Sequence, residues 1–538
     1  DRLRQLVSST LTLHRPATAL FYVDKLLTLS NHAIDDVLLA SSALFASGEF
    51  ARAVLLLEKR GQSSTPNLKV VLLTAQCHAA LSHWELALEA LRPVLDEAVT
   101  DARGVAGLGA SVGHTPGFEI NPVSIMCSLR ADAHIQLDDP GSAVEWFRFA
   151  LQVDLYNAEA FHSLVDLHLL SSAEETALLD SLAFSEADGV IRDLYAARLS
   201  RVRAHGLRAM AGALHTLRAL EDQGLGGNPD VQATKAECLY YQHDFSSACD
   251  LTRAIRTVDP FDTRSTTVHV ASLLSLGKAS DLFYTAHTLV DANPRAAVAW
   301  FAVGCYYHCV GKFSLARQYF GKATSIDAHF APAWLGIGHA TSAQDDSDQA
   351  MAAYRTASRL FPGCHMPLLC MAIECLRTNN VSLADRYLCQ ARDICPSDPL
   401  VYNELGVLHY RSGRFKEAME LFQFVVNLTR DVPRHLQDAW EPAMFNLGHC
   451  YRKLGRFDDA IGAYETCLAL VPNSTSSFSA LGFTYLLQDE CDRAIDYFHL
   501  ALGVCPDDTF AQQMLRNALS LSFHRGFDAV FAGIDGLP

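Results

Sequence analysis

Hydrophobic positions in the second half of the chain repeat with a period of 34 residues from Ala297 onward. Within each period, apolar residues at spacings of three and four predict one helix, and a second run of the same kind predicts another. In the first period these stripes are Trp300, Val303, Gly304 and Tyr307, then Ala316, Phe320 and Ala323. Small and large side chains on facing stripes predict an antiparallel helix pair with interlocking volumes, with Gly311 at its turn.

Two sets of residues keep this period independently. Small residues of the first helix lie 34 apart, and the series resumes after an excess of eight residues: Gly304, Gly338, Ala372 and Gly406, then Gly448 and Gly482. Prolines ahead of the first helix keep the same register: Pro260, Pro294, Pro362 and Pro396, then Pro472 and Pro506. The excess falls within 425–440, where Pro433 and polar residues predict a lengthened loop.

The residues inside each period match the pattern W-x2-L-G-x2-Y, A-x3-F, P of the tetratricopeptide repeat, or TPR. A weaker form of the pattern extends back toward the N-terminus. A single helix pair cannot bury its apolar face alone, so neighbouring pairs must stack. The predicted fold class is therefore all-α, a TPR superhelical solenoid of antiparallel helix pairs.

The pattern divides the chain into five segments. We expect N-terminal TPR units at 1–99, a flexible Gly-rich loop at 100–122, central helical or TPR-like units at 123–228, a regular C-terminal TPR superhelix at 229–506 with an insertion near 426–440, and a capping helix and tail at 507–538. The capping helix is expected because the last pair of a solenoid needs a neighbour with one polar side.

Function is expected on the concave wall of the superhelix, which first helices line. Side chains offset from the packing stripe should point into this groove. In phase, these groove positions are Phe301, Cys305, His308, Leu335, His339, Leu369, Ile373, Asn403, Val407, Tyr410, Phe445, His449, Arg452, Phe483 and Leu486. The mostly apolar and aromatic set predicts capture of a peptide or helix by packing and a few hydrogen bonds.

Composition narrows the choice of partners. The 538 residues include 43 Lys and Arg against 60 Asp and Glu, a net charge of −17, which argues against a basic nucleic-acid surface. The most apolar stretch, 297–311, is shorter than the ~20 residues that span a membrane. No segment resembles a signal peptide, and 15 cysteines, many on helical faces, fit buried thiols in a reducing compartment.

Candidate catalytic and metal-binding residues are few. GASVG at 109–113 satisfies G-x-S-x-G but lacks the strand and helix that a nucleophile elbow needs. Cys305, His308 and Cys309 share one helix face, yet no C-x-x-C or H-x-x-x-H lies nearby to complete a tetrahedral metal site. Ordinary helix packing is the stronger interpretation. We therefore predict no catalytic residue, no metal, no cofactor and no small-molecule substrate.

Specific segments resemble a known family. They are FYVDKLLTLS at 21–30, AWFAVGCYY at 299–307, DQAMAAY at 348–354, GCHMPL at 363–368, WEPAMFNLGHCYRK at 440–453 and AIDYFHLALGVCPDDTF at 494–510. These segments are similar to the TPR scaffold subunits of the anaphase-promoting complex, the cell division cycle protein sixteen family. The resemblance spans both ends of the chain and is faint within 98–122 and 181–227.

This resemblance implies a non-catalytic subunit of a multisubunit ubiquitin ligase that acts in mitosis, in the nucleus and cytoplasm. It implies a homodimer through the N-terminal repeats, a small accessory subunit in the groove, and outer surfaces that contact other TPR subunits. For the dimer it points to the helices around 21–57, with Phe21, Tyr22, Leu38 and Phe45 as contact residues.

Two other functional classes stay open from the residues alone. One is a generic TPR adaptor or co-chaperone that binds a peptide in its groove. The form that grips a C-terminal carboxylate needs Lys, Arg and Asn at groove positions of adjacent units, where Phe301, Leu335 and Leu369 stand instead. The other is an enzyme with attached helical repeats, for which the unassigned stretch 181–228 is short for a catalytic domain.

Overall fold

Helices make up nearly all of the backbone that the structure describes. The computed structural model describes residues 1–60, 67–100, 121–185, 188–203, 207–430 and 434–534, and within them it contains α-helices and no β-strand. No helix in this part of the chain combines the length and apolarity needed to cross a membrane. The prediction of an all-α TPR solenoid is confirmed. Nearly all of the predicted loop at 100–122, and all of the G-x-S-x-G motif, lie outside the described residues.

The first compact unit comprises Asp1–Arg192 with Leu360–Cys364. Its helices are α1 (Arg2–Thr12), α2 (Pro16–Leu29), α3 (Ile34–Ala46), α4 (Phe50–Arg60), α5 (Leu68–Ala80), α6 (Trp84–Thr100), α7 (Pro122–Gln136), α8 (Pro140–Val153), α9 (Ala158–Asp166), α10 (Ser172–Ser181) and the start of α11 (Gly189–Arg203).

The second unit comprises Asp193–Arg359 and His365–Pro538. After the rest of α11 come α12 (Leu207–Leu220), α13 (Pro229–Tyr241), α14 (Phe245–Val258), α15 (Thr263–Ser275), α16 (Ala279–Ala292), α17 (Ala297–Cys309), α18 (Phe313–Ile326), α19 (Ala331–Ser342), α20 (Ser347–Leu360), α21 (Met366–Arg377), α22 (Val381–Ile394), α23 (Pro399–Arg411), α24 (Phe415–Thr429), α25 (Glu441–Lys453), α26 (Phe457–Leu470), α27 (Thr475–Leu487), α28 (Cys491–Val504) and α29 (Thr509–Ile534). From α13 onward, odd-numbered helices are first helices and even-numbered ones are second helices.

Capping residues and left-handed turns set the helix boundaries. Asp244 and Asn380 each accept a backbone N–H with their side chains at the start of a second helix. Gly311 lies between the helices of its pair with φ +78°, and Asn379 takes the same place two units later with φ +61°. Glycine and asparagine are the residues that adopt this conformation most readily, so the turn is encoded locally.

Close packing within a pair depends on the small residue of the first helix. A Cβ added to Gly338 would lie 2.1 Å from the Tyr354 ring, and one added to Gly406 would lie 2.7 Å from the Phe422 ring. Both rings are at most 2% exposed. The glycine stripe seen in the sequence is therefore the surface on which a buried ring of the second helix rests.

The tryptophan position also fixes the turn that precedes its helix. The Trp300 indole N–H donates to the Pro294 carbonyl at 2.8 Å, and the Trp334 indole N–H donates to the Ala328 carbonyl at 2.9 Å. The Tyr402 hydroxyl repeats this contact with the carbonyl six residues before it, at 2.8 Å. The aromatic residue of the repeat thus stabilises the joint between successive pairs as well as the core.

First helices lie side by side in the second unit. α15 contacts α17, α17 contacts α19, α21 contacts α23, α23 contacts α25, and α27 contacts α29. Their outward positions therefore belong to one wall.

Two irregular segments and a long last helix complete the second unit. A π-helical turn at Glu221–Leu225 follows α12, so the unassigned stretch 181–228 is largely helical where it is described. A 3-10 helix at Arg434–Trp440 occupies part of the insertion near 426–440. The last helix, α29, extends to Ile534 and so occupies most of the segment 507–538 that was assigned to a capping helix and tail.

We predict opposite effects of two glycine-to-alanine substitutions. Gly338→Ala should lower the free energy of unfolding by about 1–3 kcal/mol, because the new methyl group overlaps the buried Tyr354 ring. Gly321→Ala, in the interior of α18 with open space at its Cβ position, should raise it by about 0.5–1 kcal/mol. Urea unfolding followed by circular dichroism measures both, and equal effects would contradict the packing role of Gly338.

Candidate peptide-binding groove

The predicted groove positions differ in exposure. Three are buried, namely Phe301, Cys305 and Leu369, with exposed fractions of 5%, 1% and 2%. Two are exposed, His339 and Ile373. The remaining ten are half-buried: His308, Leu335, Asn403, Val407, Tyr410, Phe445, His449, Arg452, Phe483 and Leu486. The buried three form part of the core behind the wall, where Phe301 packs against Phe320 and Phe330.

The first helices α25 and α27 bring several groove positions into direct contact. On α25, the rings of Phe445 and His449 lie 4.3 Å apart between centroids. The Arg452 guanidinium lies 4.8 Å from the centroid of the Phe483 ring, which belongs to α27. These four side chains form a mixed aromatic and basic surface, with apolar area for packing and polar groups for orientation.

An asparagine that the sequence analysis did not select links two first helices. The Asn446 side-chain amide on α25 donates to the Asn403 side-chain carbonyl on α23 at 3.4 Å. Asn403 in turn donates to Glu404 at 3.0 Å. Burial raises the pKa of Glu404. The polar group at this place in the wall is therefore a connected set of three side chains.

Two groove histidines are hydrogen-bonded to buried tyrosines of their second helices. His339 Nδ1 lies 3.0 Å from the Tyr354 hydroxyl, and His449 Nδ1 makes the same bond with the Tyr464 hydroxyl. Each tyrosine follows its histidine by 15 residues and is at most 2% exposed. A hydroxyl buried to this degree needs a partner, and the histidine supplies it.

The type of residue at the groove position of His339 and His449 correlates with the type of residue 15 positions later, on the second helix of the same pair. Where the second helix carries Phe or Leu in place of Tyr, no hydroxyl has to be satisfied and the groove position is not histidine. These pairs are Cys305 with Phe320, Ile373 with Leu388, Val407 with Phe422, and Phe483 with Phe498. The tyrosines were missed because groove positions were sought on first helices alone. The available signal was Tyr in place of Phe on the second helix.

The protonation state of His449 follows from its surroundings. Burial lowers the pKa of His449 to about 4, and nearby Arg452 adds to this effect. Burial raises the pKa of Tyr464, so its hydroxyl keeps its proton. The Tyr464 hydroxyl can donate its proton to His449 Nδ1, and in that tautomer the Nε2–H of His449 is available to a partner.

The alternative metal site at Cys305, His308 and Cys309 gains no support from the geometry. In the described parts of the chain, no three His, Cys, Asp or Glu side chains are grouped so that they could hold a metal ion. Burial also raises the pKa of the Cys305 thiol, which disfavours the thiolate that metals and electrophiles require.

The residues predicted for dimer contact lie on α2 and α3 of the first unit. Phe21 is 61% exposed, and the Lys25 ammonium lies 4.0 Å from its ring centroid. Tyr22, Leu38 and Phe45 are half-buried. The first unit therefore presents an aromatic side chain on α2 that its own fold does not cover.

Family models match three stretches of the chain. "Anaphase-promoting complex, cyclosome, subunit 3" matches residues 13–94, and two tetratricopeptide repeat models match residues 331–364 and 399–473.

Full-length relatives are similar to the whole chain. "Anaphase-promoting complex subunit 6" of Arabidopsis thaliana is 36% identical over 547 residues, covering 98% of each chain. "Cell division cycle protein 16 homolog" of Homo sapiens is 33% identical, covering 99% of this chain and 86% of the relative. "Anaphase-promoting complex subunit cut9" of Schizosaccharomyces pombe is 32% identical, covering 93% and 73%.

A solved structure has the same overall fold. The "Crystal structure of APC/C hetero-tetramer Cut9-Hcn1" contains a chain that superposes with a TM-score of 0.74 at 30% identity, covering 96% of both chains.

We predict that His449 and Tyr464 are coupled in stability. His449→Leu should lower the free energy of unfolding by about 1–3 kcal/mol, because it leaves the buried Tyr464 hydroxyl without its acceptor. Adding Tyr464→Phe should restore most of that loss. Urea unfolding of the two single variants and the double variant gives the coupling energy, and additive effects would contradict the bond.

We also predict a pH dependence from the same histidine. Its pKa of about 4 in the folded chain lies below the ordinary 6.5, so between these values the unfolded chain binds a proton that the folded chain does not. Its stabilising contribution is complete above about pH 6.5 and is lost as the pH falls toward about 4.

The His449→Leu/Tyr464→Phe double variant is the matched control for this effect. It should lose less stability than the native chain when urea midpoints are compared at neutral pH and at about pH 5. An identical loss in the two proteins would contradict the assignment of a neutral His449.

Proposed function

The chain belongs to the family of anaphase-promoting complex subunit 6, also named cell division cycle protein 16, and from this membership we propose that it is a non-catalytic scaffold subunit of that complex in cell-cycle control. The observation that carries the proposal is likeness over nearly the full length, in sequence to the named subunits and in backbone to Cut9. A ubiquitin-ligase complex needs surfaces that hold its parts in place, and a stacked solenoid offers two such surfaces, its concave wall and its outer face.

For the concave wall we propose a small accessory subunit as the occupant. The structure with the same fold is a hetero-tetramer named for two kinds of chain, Cut9 and Hcn1. The groove of the present chain has the chemistry for an extended segment. Phe445, Phe483 and Leu486 offer apolar area, and His449 offers an N–H for a backbone carbonyl.

For the N-terminal unit we propose homodimerisation. A hetero-tetramer of two kinds of chain fits two copies of each, and a contact between like chains is one way to join the two halves. Phe21 is large, apolar and 61% exposed on α2. An aromatic side chain of this kind is typical of the centre of a protein interface.

The outer surface of the solenoid is the proposed contact for other TPR subunits of the complex, with the protein acting in the nucleus and cytoplasm. A generic TPR adaptor that captures a peptide is the alternative function. It would use the same groove, and the two TPR family models within it are compatible with both. Binding of an Hcn1-type subunit distinguishes the two functions, because an unrelated adaptor has no reason to bind it.

We predict that charge in the groove releases the accessory subunit. Phe445→Asp or Phe483→Asp should weaken binding of purified Hcn1 by about tenfold or more, because each replaces apolar contact area in the groove with a charged side chain. Titration calorimetry measures the affinity, and circular dichroism should report unchanged helicity.

Leu500→Asp is the control for this prediction. Leu500 is 51% exposed on the second helix α28, so the same charge placed there should leave binding unchanged. Equal affinities for all variants would mean that the groove is not the binding surface.

We predict that the purified chain is a dimer in which Phe21 contributes to the interface. Light scattering at micromolar concentration should give twice the chain mass of 58.9 kDa, and Phe21→Glu should shift the mass toward the monomer. Phe261→Glu is the control, since Phe261 is 63% exposed in the second unit. A monomeric native chain would remove the dimer from the proposal.

A further inference from the structure

Arg452 is a half-buried cation without a carboxylate partner. Its Nε is buried and has no hydrogen-bond partner, and among the described residues no Asp or Glu forms an ion pair with its guanidinium. Arg130, which is also half-buried, lies 2.9 Å from Asp96, whereas Arg256 resembles Arg452 in having a buried Nε without a hydrogen-bond partner and no described ion pair.

A neighbouring aromatic ring places the Arg452 guanidinium on the face of the first helices. The Phe483 ring, on the next first helix α27, has its centroid 4.8 Å from the guanidinium. The cation therefore lies against an aromatic groove side chain, and no described Asp or Glu forms an ion pair with it.

In the free chain the half-buried Arg452 guanidinium is stabilised by the Phe483 ring and by remaining contact with water, and no described carboxylate pairs with it. The adjacent Lys453 is exposed, so water compensates its charge. The planar guanidinium still offers N–H donors in the fork that matches the two oxygens of a carboxylate.

We propose that Arg452 forms a subsite for the carboxylate of an Asp or Glu side chain in an extended partner chain. This inference rests on the proposed function of the groove. A side-chain carboxylate is favoured over a terminal one because the groove positions around Arg452 provide no second Lys or Arg for a clamp. The Nε2–H of His449, one helical turn earlier, is placed to bind a backbone carbonyl of the same partner, which fixes the register of the acidic residue.

Selection from a phage library of random peptides tests the subsite on the intact chain. Peptides are selected on the native protein, on Arg452→Gln, on Arg452→Glu and on Lys453→Gln, which removes the same charge one residue away. The native protein and Lys453→Gln should enrich Asp or Glu at one fixed position relative to the apolar residues of the recovered peptides. Arg452→Gln should lose this preference, and Arg452→Glu should replace it with Lys or Arg.

Affinity measurements on one synthetic peptide from the native selection complete the test. Replacing its acidic residue by the amide should weaken binding to the native chain about tenfold and should have little effect on Arg452→Gln. Recovered peptides without an acidic position, or an acidic preference that survives Arg452→Gln, would overturn the subsite but not the proposal that the groove binds a partner chain. Recovery of no peptide on any of the four proteins would overturn the groove and the subsite together.

Discussion

The contact between a buried ring of the second helix and a glycine of the first helix determines how the regular helix pairs pack. In five of the six regular pairs from α17 to α28, a ring of the second helix rests where the first helix carries glycine, and an added Cβ would fall inside contact distance of that ring; the pair of α21 and α22 has Ala372 and Leu388 instead. The contact sets the spacing of the pair. The packing stripe of the first helix faces the second helix. The positions adjacent to the stripe are therefore left on the groove side of the first helix.

The same contact connects the core to the chemistry of the groove. When the ring is phenylalanine, nothing polar lies beneath the groove position, and that position carries Cys, Val or Phe. When the ring is tyrosine, its hydroxyl reaches past the glycine, and a histidine in the groove binds it. At His449, burial then keeps the imidazole neutral. A requirement of the core, that a buried hydroxyl be satisfied, thereby supplies the groove with an N–H donor of fixed orientation.

The period of the sequence was sufficient to predict the helix pairs and the turn at Gly311. It could not predict how deeply each groove position is buried, because periodicity gives an angle around a helix and depth depends on neighbouring elements. Phe301 and Leu335 are equivalent in the repeat, yet the Phe330 ring covers Phe301 while Leu335 stays half-buried. Tyr464 and Asn446 escaped detection because their roles arise between helices.

The central claim is that a partner chain lies along the first helices of the second unit. Photocrosslinking with purified Hcn1 tests it most directly, with a benzophenone amino acid placed at Ile373 on α21 or at Leu500 on α28. Both positions are exposed, at 42% and 51%, so the probe disturbs the fold equally little. Our account predicts a covalent Hcn1 adduct from position 373 and none from position 500. An adduct from position 500 alone would contradict it.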